Sequence, residues 1–161
     1  MMTSEIKSSK QSIVFPKWFI PTVLAVGFLG FLDSAYLAIK HYQGVGINCV
    51  IFEGCDKVAA SVYATIGNIP VATLGVFFYL SIIILAIAYW DTKSRQFLFI
   101  AAIMTFFGFA ASLWFMYLQI FVIKALCTYC IASFASSTTL FGLGVFVLLK
   151  SRKKSDVAPI S

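Results

Sequence analysis

Residues Gln96–Ile123 read QFLFIAAIMTFFGFAASLWFMYLQIFVI, 28 residues without a charge. The hydrocarbon core of a bilayer is about 30 Å thick, and a helix of about 20 apolar residues crosses it. This stretch is long enough to cross. In lipid it must be helical, because no water is present to satisfy open backbone groups. Reading outward finds three more such runs. The first, about Trp18 to Tyr42, holds a single acid, Asp33, with Lys40 and His41 at its far end. The next, about Pro70 to Trp90, opens on a proline, which suits a first helical position because its missing N–H is not needed there. The last runs from about Ala125 to Leu149. The alternating pattern of a membrane barrel is absent. The expected fold is all-α: an integral membrane bundle of four transmembrane helices, with one long loop between the first and second.

Composition agrees with the spans. Of 161 residues, 61% are hydrophobic and 11% charged, against about 45–50% and about 25% in a soluble domain. Mean hydropathy is +0.96. A soluble globule, a disordered chain and a disulfide-knotted secreted domain are all excluded. The net charge is +6, but the basic residues flank the apolar runs, so they read as topology signals and not as a nucleic-acid surface. Four crossings put both termini on one side. Nine of the 12 Lys and Arg residues fall there and three on the other, so both termini are expected in the cytoplasm. The start does not read as a cleaved signal peptide, since the apolar run is too long and no small-residue site follows it. The chain divides into a polar tail 1–17, a membrane domain 18–149 with an outer loop at about 43–69, and a basic tail 150–161.

The outer loop opens on Gly44-Val45-Gly46 and closes on Gly67-Asn68-Ile69-Pro70. Between them Asp56 to Thr65 reads as a short amphipathic helix with Asp56 as its N-cap. Its face Val58, Val62 and Ile66 would meet the bilayer or the bundle. The four cysteines are Cys49 and Cys55, in this loop, and Cys127 and Cys130, at the start of the fourth helix. All four fall on the outer, oxidising side, where disulfides persist. Cys127-Thr128-Tyr129-Cys130 is a C-x-x-C at a helix N-terminus, where free N–H groups and the helix dipole favour a thiolate. Lys124 adds a positive charge nearby. On a helix the two sulfurs share one face, with Cys130 about 4.5 Å deeper.

Three chemistries use such cysteines. A Cys₄ zinc site is one, although C-x₅-C is wider than the usual C-x₂₋₄-C of zinc ligands. Two static disulfides, 49–55 and 127–130, are another, although a bridge across one helical turn adds little to a formed helix. The third is redox exchange between pairs, which a short, easily reduced C-x-x-C bridge suits.

A resemblance bears on this choice. The ordered segments are Asp33-Ser34-Ala35-Tyr36-Leu37 with His41-Tyr42, then Cys49 and Cys55-Asp56-Lys57-Val58 with Ser61. Ile69-Pro70-Val71 with Gly75, Leu118-Gln119 and Lys124 to Cys130 follow. Together they resemble the vitamin K epoxide reductase family in its prokaryotic, disulfide-generating form, over about Val23 to Thr139. The other quinone-linked disulfide generator of bacteria, the DsbB type, carries its C-x-x-C and its spaced pair in the opposite order.

The resemblance implies an oxidoreductase relay without a metal. A reduced thioredoxin-like (DsbA-like) periplasmic protein would pass electrons to Cys49/Cys55. These would reduce Cys127/Cys130, which would reduce a ubiquinone- or menaquinone-type quinone, so that exported proteins gain disulfides. By the family's pattern Cys49 meets the partner, Cys55 pairs with Cys127, and Cys130 faces the quinone. Some members carry a fused thioredoxin-like domain. This chain ends soon after its last helix, so a separate partner is expected, in a bacterial inner membrane with the cysteines outside. Two alternatives stand beside the relay: quinone-epoxide reduction within the same family, and a non-enzymatic four-helix scaffold with structural disulfides.

Three further residues are candidates for quinone contact. Ser61 has a hydroxyl for a quinone carbonyl, or is simply a surface hydroxyl. Phe134 lies four residues after Cys130 and forms a pocket wall, or only packs. The family often has Tyr at this position, and Phe134 has no ring hydroxyl to donate. Asp33 is an acid inside a span, costly unless it faces the bundle. It either makes a helix-packing hydrogen bond or sits near the quinone. His41 reads as an interfacial anchor or as a base.

Overall fold

The computed structural model describes residues 16–44, 46–47 and 54–155. Four long helices carry the fold: α1 (Phe19–Gln43), α3 (Val71–Thr92), α4 (Arg95–Tyr117) and α5 (Thr128–Ser155). Each is long and apolar enough to cross a membrane. Between α1 and α3 lie a short helix α2 (Cys55–Ala59), a 3₁₀ turn (Val62–Ala64) and a two-stranded ribbon, β1 (Thr65–Ile66) and β2 (Ile69–Pro70). The four spans follow directly from hydropathy: an apolar run in lipid has no alternative to the helix.

The long helices form a ring in which α1 packs on α3 and α5, and α4 packs on α3 and α5. Large apolar side chains such as Phe28, Leu32, Ile84, Phe107 and Phe121 are exposed on the outside. Lipid accommodates them at no cost, so apolar burial does not hold these helices together; close packing does. Small residues allow that packing. A methyl group on Gly75 of α3 would lie 2.8 Å from Ser34 Oγ of α1, and one on Gly144 of α5 would lie 2.5 Å from Thr105 Oγ1 of α4. Gly108 and Ser112 of α4 meet the Phe78 ring of α3 and the Ser137 hydroxyl of α5. Trp18, Tyr42 and Trp90, at helix ends, are exposed as membrane-interface residues are.

The helix ends have identifiable causes. Gly44 takes a left-handed conformation (φ 63°) and its N–H bonds the carbonyls of His41 and Lys40, closing α1. α4 does not stop at Tyr117 but runs on as a π-helical segment, Leu118–Ile123, closed by Lys124 at φ 53°. Two helix starts differ from expectation by a few residues. Pro70 is the N-cap of α3 and not its first helical residue. α5 begins at Thr128, because the left-handed Lys124 breaks the helix and Ala125 to Cys127 form a connecting turn.

The loop differs more. Asp56 does not cap a helix over 56–65. Gly54 holds the N-cap position of α2, and the Asp56 carboxylate instead accepts the Ile47 N–H at 2.5 Å. α2 ends after five residues, because Ser61 turns extended (φ −71°, ψ 151°) and its hydroxyl donates to the Val58 carbonyl at 2.7 Å. The chain then folds back through Gly67 (φ 65°), pairing Ile66 with Ile69. The expected common face is split: Val58 packs inward, while Val62 and Ile66 are 82% and 61% exposed.

Three clusters fill the bundle from end to end. Phe19, Tyr89, Leu98 and Val147 close the end that bears the termini. Tyr79, Ile82 and Leu140 fill the centre. Ile47, Cys55 and Cys127 lie at the loop end.

Candidate active site

The loop and the C-x-x-C meet because two backbones touch. At Gly54, an added Cβ would lie 2.5 Å from the Leu126 carbonyl oxygen and 2.9 Å from its nitrogen. Only glycine permits that approach, and it brings the next residue of each segment together. Cys55 and Cys127 are 1% and 2% exposed within one cluster, and Tyr36, Val58, Tyr129 and Cys130 pack around them. Cys55 is in a disulfide that involves neither Cys127 nor Cys130, which are free thiols. Cys49 lies outside the described residues.

Cys127 sits where the turn enters α5. Its carbonyl accepts the Ile131 N–H at 3.1 Å, so it acts as the N-cap. Its own N–H donates to the side-chain oxygen of Gln119 at 3.0 Å. The thiol is pulled down from the usual 9.0 to about 7. A hydrogen bond from Cys130 is the main cause, and the N–H groups of Cys130 and Tyr129 assist; burial and the Asp33 carboxylate oppose them. The helix-start N–H groups thus contribute as the sequence suggested, but the partner thiol contributes more. A thiol of this kind is about half thiolate near neutral pH, and so serves as a nucleophile and as a good leaving group.

A cavity of about 400 Å³ opens beside these sulfurs, and Cys55, Cys127 and Cys130 all line it. Its volume falls in the range of small-ligand sites, about 300–1,000 Å³. The walls are largely apolar, from Leu37, Phe78, Phe115 and Met116 among others. Hydroxyls stand on its inner side. The Tyr79 phenol, 2% exposed, reaches across the ring to α5. It lies 2.6 Å from Ser136 Oγ, 3.2 Å from Ser137 Oγ and 3.1 Å from the Ser133 carbonyl. Ser112 of α4 donates to Ser137 at 3.0 Å. An apolar chamber with a few convergent polar groups can orient a flat, largely apolar molecule that carries polar oxygens.

The expected quinone contacts are placed as follows. Ser61 lines the cavity, with its hydroxyl proton directed to Val58. Asp33 and Phe134 are not among the lining residues. Asp33 accepts a hydrogen bond from Ser133 at 2.5 Å, the helix-packing alternative. Phe134 stacks on Phe109 of α4, with centroids 6.3 Å apart. The reason is angular. The cavity face of α5 is the stripe Cys130, Ser133, Ser137, and Phe134 lies about 100° round the helix from Ser133. His41 lines the cavity.

Tyr79, Ser133, Ser137 and Gln119 were not read from the sequence as site residues. A signal existed: Ser133, Ser136 and Ser137 make a polar stripe in an apolar helix, and Gln119 is an amide within a span, where polar groups need partners.

The sequence model of the vitamin K epoxide reductase family matches residues 21–145. The match begins in α1, ends in α5 and includes all four cysteines. No curated protein matches the chain.

Proposed function

The chain belongs to the vitamin K epoxide reductase family and is a membrane oxidoreductase; on that premise we propose that it is a thiol oxidase that reduces a membrane quinone. The single observation that carries this reading is the common burial of Cys55 and Cys127 beside the cavity that they line together with Cys130. Electrons enter from a thioredoxin-like partner dithiol, which reduces the loop pair Cys49/Cys55. The Cys55 thiolate attacks Cys127 in the Cys127–Cys130 disulfide. A Cys55–Cys127 bond forms, the old bond breaks, and the electron pair leaves on Cys130. The Cys49 thiolate then attacks Cys55 and releases Cys127 as a thiolate, which its lowered pKa favours. The Cys127/Cys130 dithiol closes again to a disulfide, and its two electrons, with two protons, go to the quinone in the cavity. The net change is partner dithiol plus quinone to partner disulfide plus quinol.

Ser61 remains the loop hydroxyl beside the ligand, and the Tyr79 and Ser137 hydroxyls stand on the inner wall. Asp33 acts through Ser133, and Phe134 supports the wall from behind. The charge asymmetry of the sequence supports cytoplasmic termini and an outward-facing loop in a bacterial inner membrane. The test is quinone reduction by the purified protein in detergent, with a reduced thioredoxin-like donor. One quinone should be consumed per donor dithiol. No quinone loss, with the donor dithiol left unoxidised, refutes the reading.

A further inference from the structure

The hydroxyls on the inner side of the cavity come from α3, α4 and α5 and form one chain, in which counting protons fixes the direction. A hydroxyl has one proton to donate and lone pairs to accept with. Ser136 donates its proton to the Ser133 carbonyl at 3.0 Å. The Tyr79 proton has two acceptors, Ser136 Oγ at 2.6 Å and the Ser133 carbonyl at 3.1 Å. Both lie in the same turn of α5, so the Tyr79 oxygen is left to accept from Ser137, 3.2 Å away. Ser137, 3% exposed, in turn accepts from Ser112 at 3.0 Å. The chain therefore runs from Ser112 through Ser137 and Tyr79 to the Ser133–Ser136 turn. At its head, the Ser112 proton is used, and no donor among the described residues takes up the Ser112 lone pairs. Ser112 lines the cavity, so it presents an acceptor to the occupant.

We propose that Ser112 is a binding residue for the reduced product, accepting a hydrogen bond from a quinol hydroxyl, and that Tyr79 is the positioning residue that holds Ser112 in that sense. The proposal rests on the quinone reading above. Reduction reverses what the ligand oxygens offer. A quinone oxygen is an acceptor only. When the Cys127/Cys130 dithiol closes to a disulfide, its two electrons and two protons turn each quinone oxygen into a hydroxyl with a proton to donate. A quinone oxygen at Ser112 therefore meets a second acceptor. It gains a hydrogen bond only if Ser112, Ser137 and Tyr79 all reverse, which takes the Tyr79 proton away from both of its acceptors in α5. A quinol hydroxyl needs no reversal. The chain thus favours quinol over quinone, and a site shifts an equilibrium by such a difference in affinity. Here the shift is toward the reduced ligand, the direction in which the relay runs.

The readout is equilibrium binding with electron transfer removed. Protein carrying Cys127→Ser and Cys130→Ser, in lipid nanodiscs without oxygen, is titrated with a short-tailed ubiquinone and separately with its quinol. Adding Ser112→Ala removes the acceptor. It should weaken quinol binding about fivefold, the size of one hydrogen bond, and leave quinone binding unchanged. Adding Tyr79→Phe instead keeps the ring that packs against Gly30 but takes the acceptor from Ser137. Ser137 then turns its proton to Ser112, and Ser112 turns its own to the ligand. Quinone should bind about fivefold tighter, and quinol no tighter. A hydroxyl that only held the helices together would not, on removal, tighten one form of the ligand. Equal loss of both forms in Ser112→Ala, or no loss of quinol, overturns the proposal. So does quinone binding in Tyr79→Phe no tighter than before, or binding of neither form in the starting protein. If Tyr79→Phe does not fold, Ser112→Ala decides alone. Because no electron moves in these titrations, failure of the relay would appear only in the quinone assay, and failure of this proposal only here.

Discussion

Replacing Gly54 by alanine should uncouple the loop from the C-x-x-C without altering a sulfur. The new methyl carbon would lie 2.5 Å from the Leu126 carbonyl oxygen, 2.9 Å from its nitrogen and 3.1 Å from the Ala125 Cβ. Comfortable carbon–oxygen contacts begin at about 3.3 Å. The first two neighbours are backbone atoms and cannot rotate away, so the segments must separate by about 0.8 Å or more. Gly54 and Leu126 immediately precede Cys55 and Cys127, so the separation falls on the reacting sulfurs. A misplacement near 1 Å costs about 100-fold in rate where geometry is tightly set. The strain of the added methyl, about 1–3 kcal/mol, is confined to the loop end and leaves the four spans in place. The assay uses a Cys49→Ala background, in which nothing resolves the Cys55–Cys127 bridge from the loop side. Adding quinone to the reduced protein oxidises the C-x-x-C, and the bridge then forms at a rate read from quenched non-reducing digests. Gly54→Ala should slow bridge formation about 100-fold while quinone consumption by Cys127/Cys130 continues. Bridge formation within a factor of about two of the parent would refute the reasoning.

Further outcomes follow from the same geometry. Alkylation of Cys127 in the reduced protein should rise with pH to a midpoint of about 7 and then level, because the reactive form is the thiolate. Cys130→Ala removes the chief cause and should move that midpoint up toward 9.0; an unmoved midpoint contradicts the assigned cause. Cys130→Ser should abolish quinone reduction yet leave Cys127 able to form a mixed disulfide with the loop, whereas Cys127→Ser should block electron entry from the loop. Near-normal turnover in Cys130→Ser would overturn the assignment of the quinone-facing sulfur. A reporter fused after Ser161 should be active only in the cytoplasm, as the positive-inside rule requires; activity on the outer side would reverse the placement of every cysteine.

The loop and the last helix show where sequence reading stops. The Asp56–Thr65 segment carries helical spacing, but no local term holds it: Ser61 satisfies the Val58 carbonyl with its side chain, and the β-branched Thr65 and Ile66 turn back through Gly67. Phe134 and Cys130 share a face on a helical wheel, yet the neighbour across the interface decides which part of that face lines the cavity. Phe109 takes Phe134, and the hydroxyl stripe is left for the chamber.

What the sequence alone determined is what depends on sums along the chain. Four runs are apolar enough to enter lipid, and once there each must be a helix, because every backbone group has to be satisfied within its own segment. The cysteine spacing and the ordered motifs likewise belong to the chain itself, and they point to the family. What only the tertiary structure decided is which distant groups touch. Gly54 meets Leu126 through 71 intervening residues, Tyr79 crosses the ring to α5, and Gln119, on the π-helical segment, accepts the Cys127 N–H. These contacts depend on close packing between helices, a property of paired surfaces that no single segment encodes.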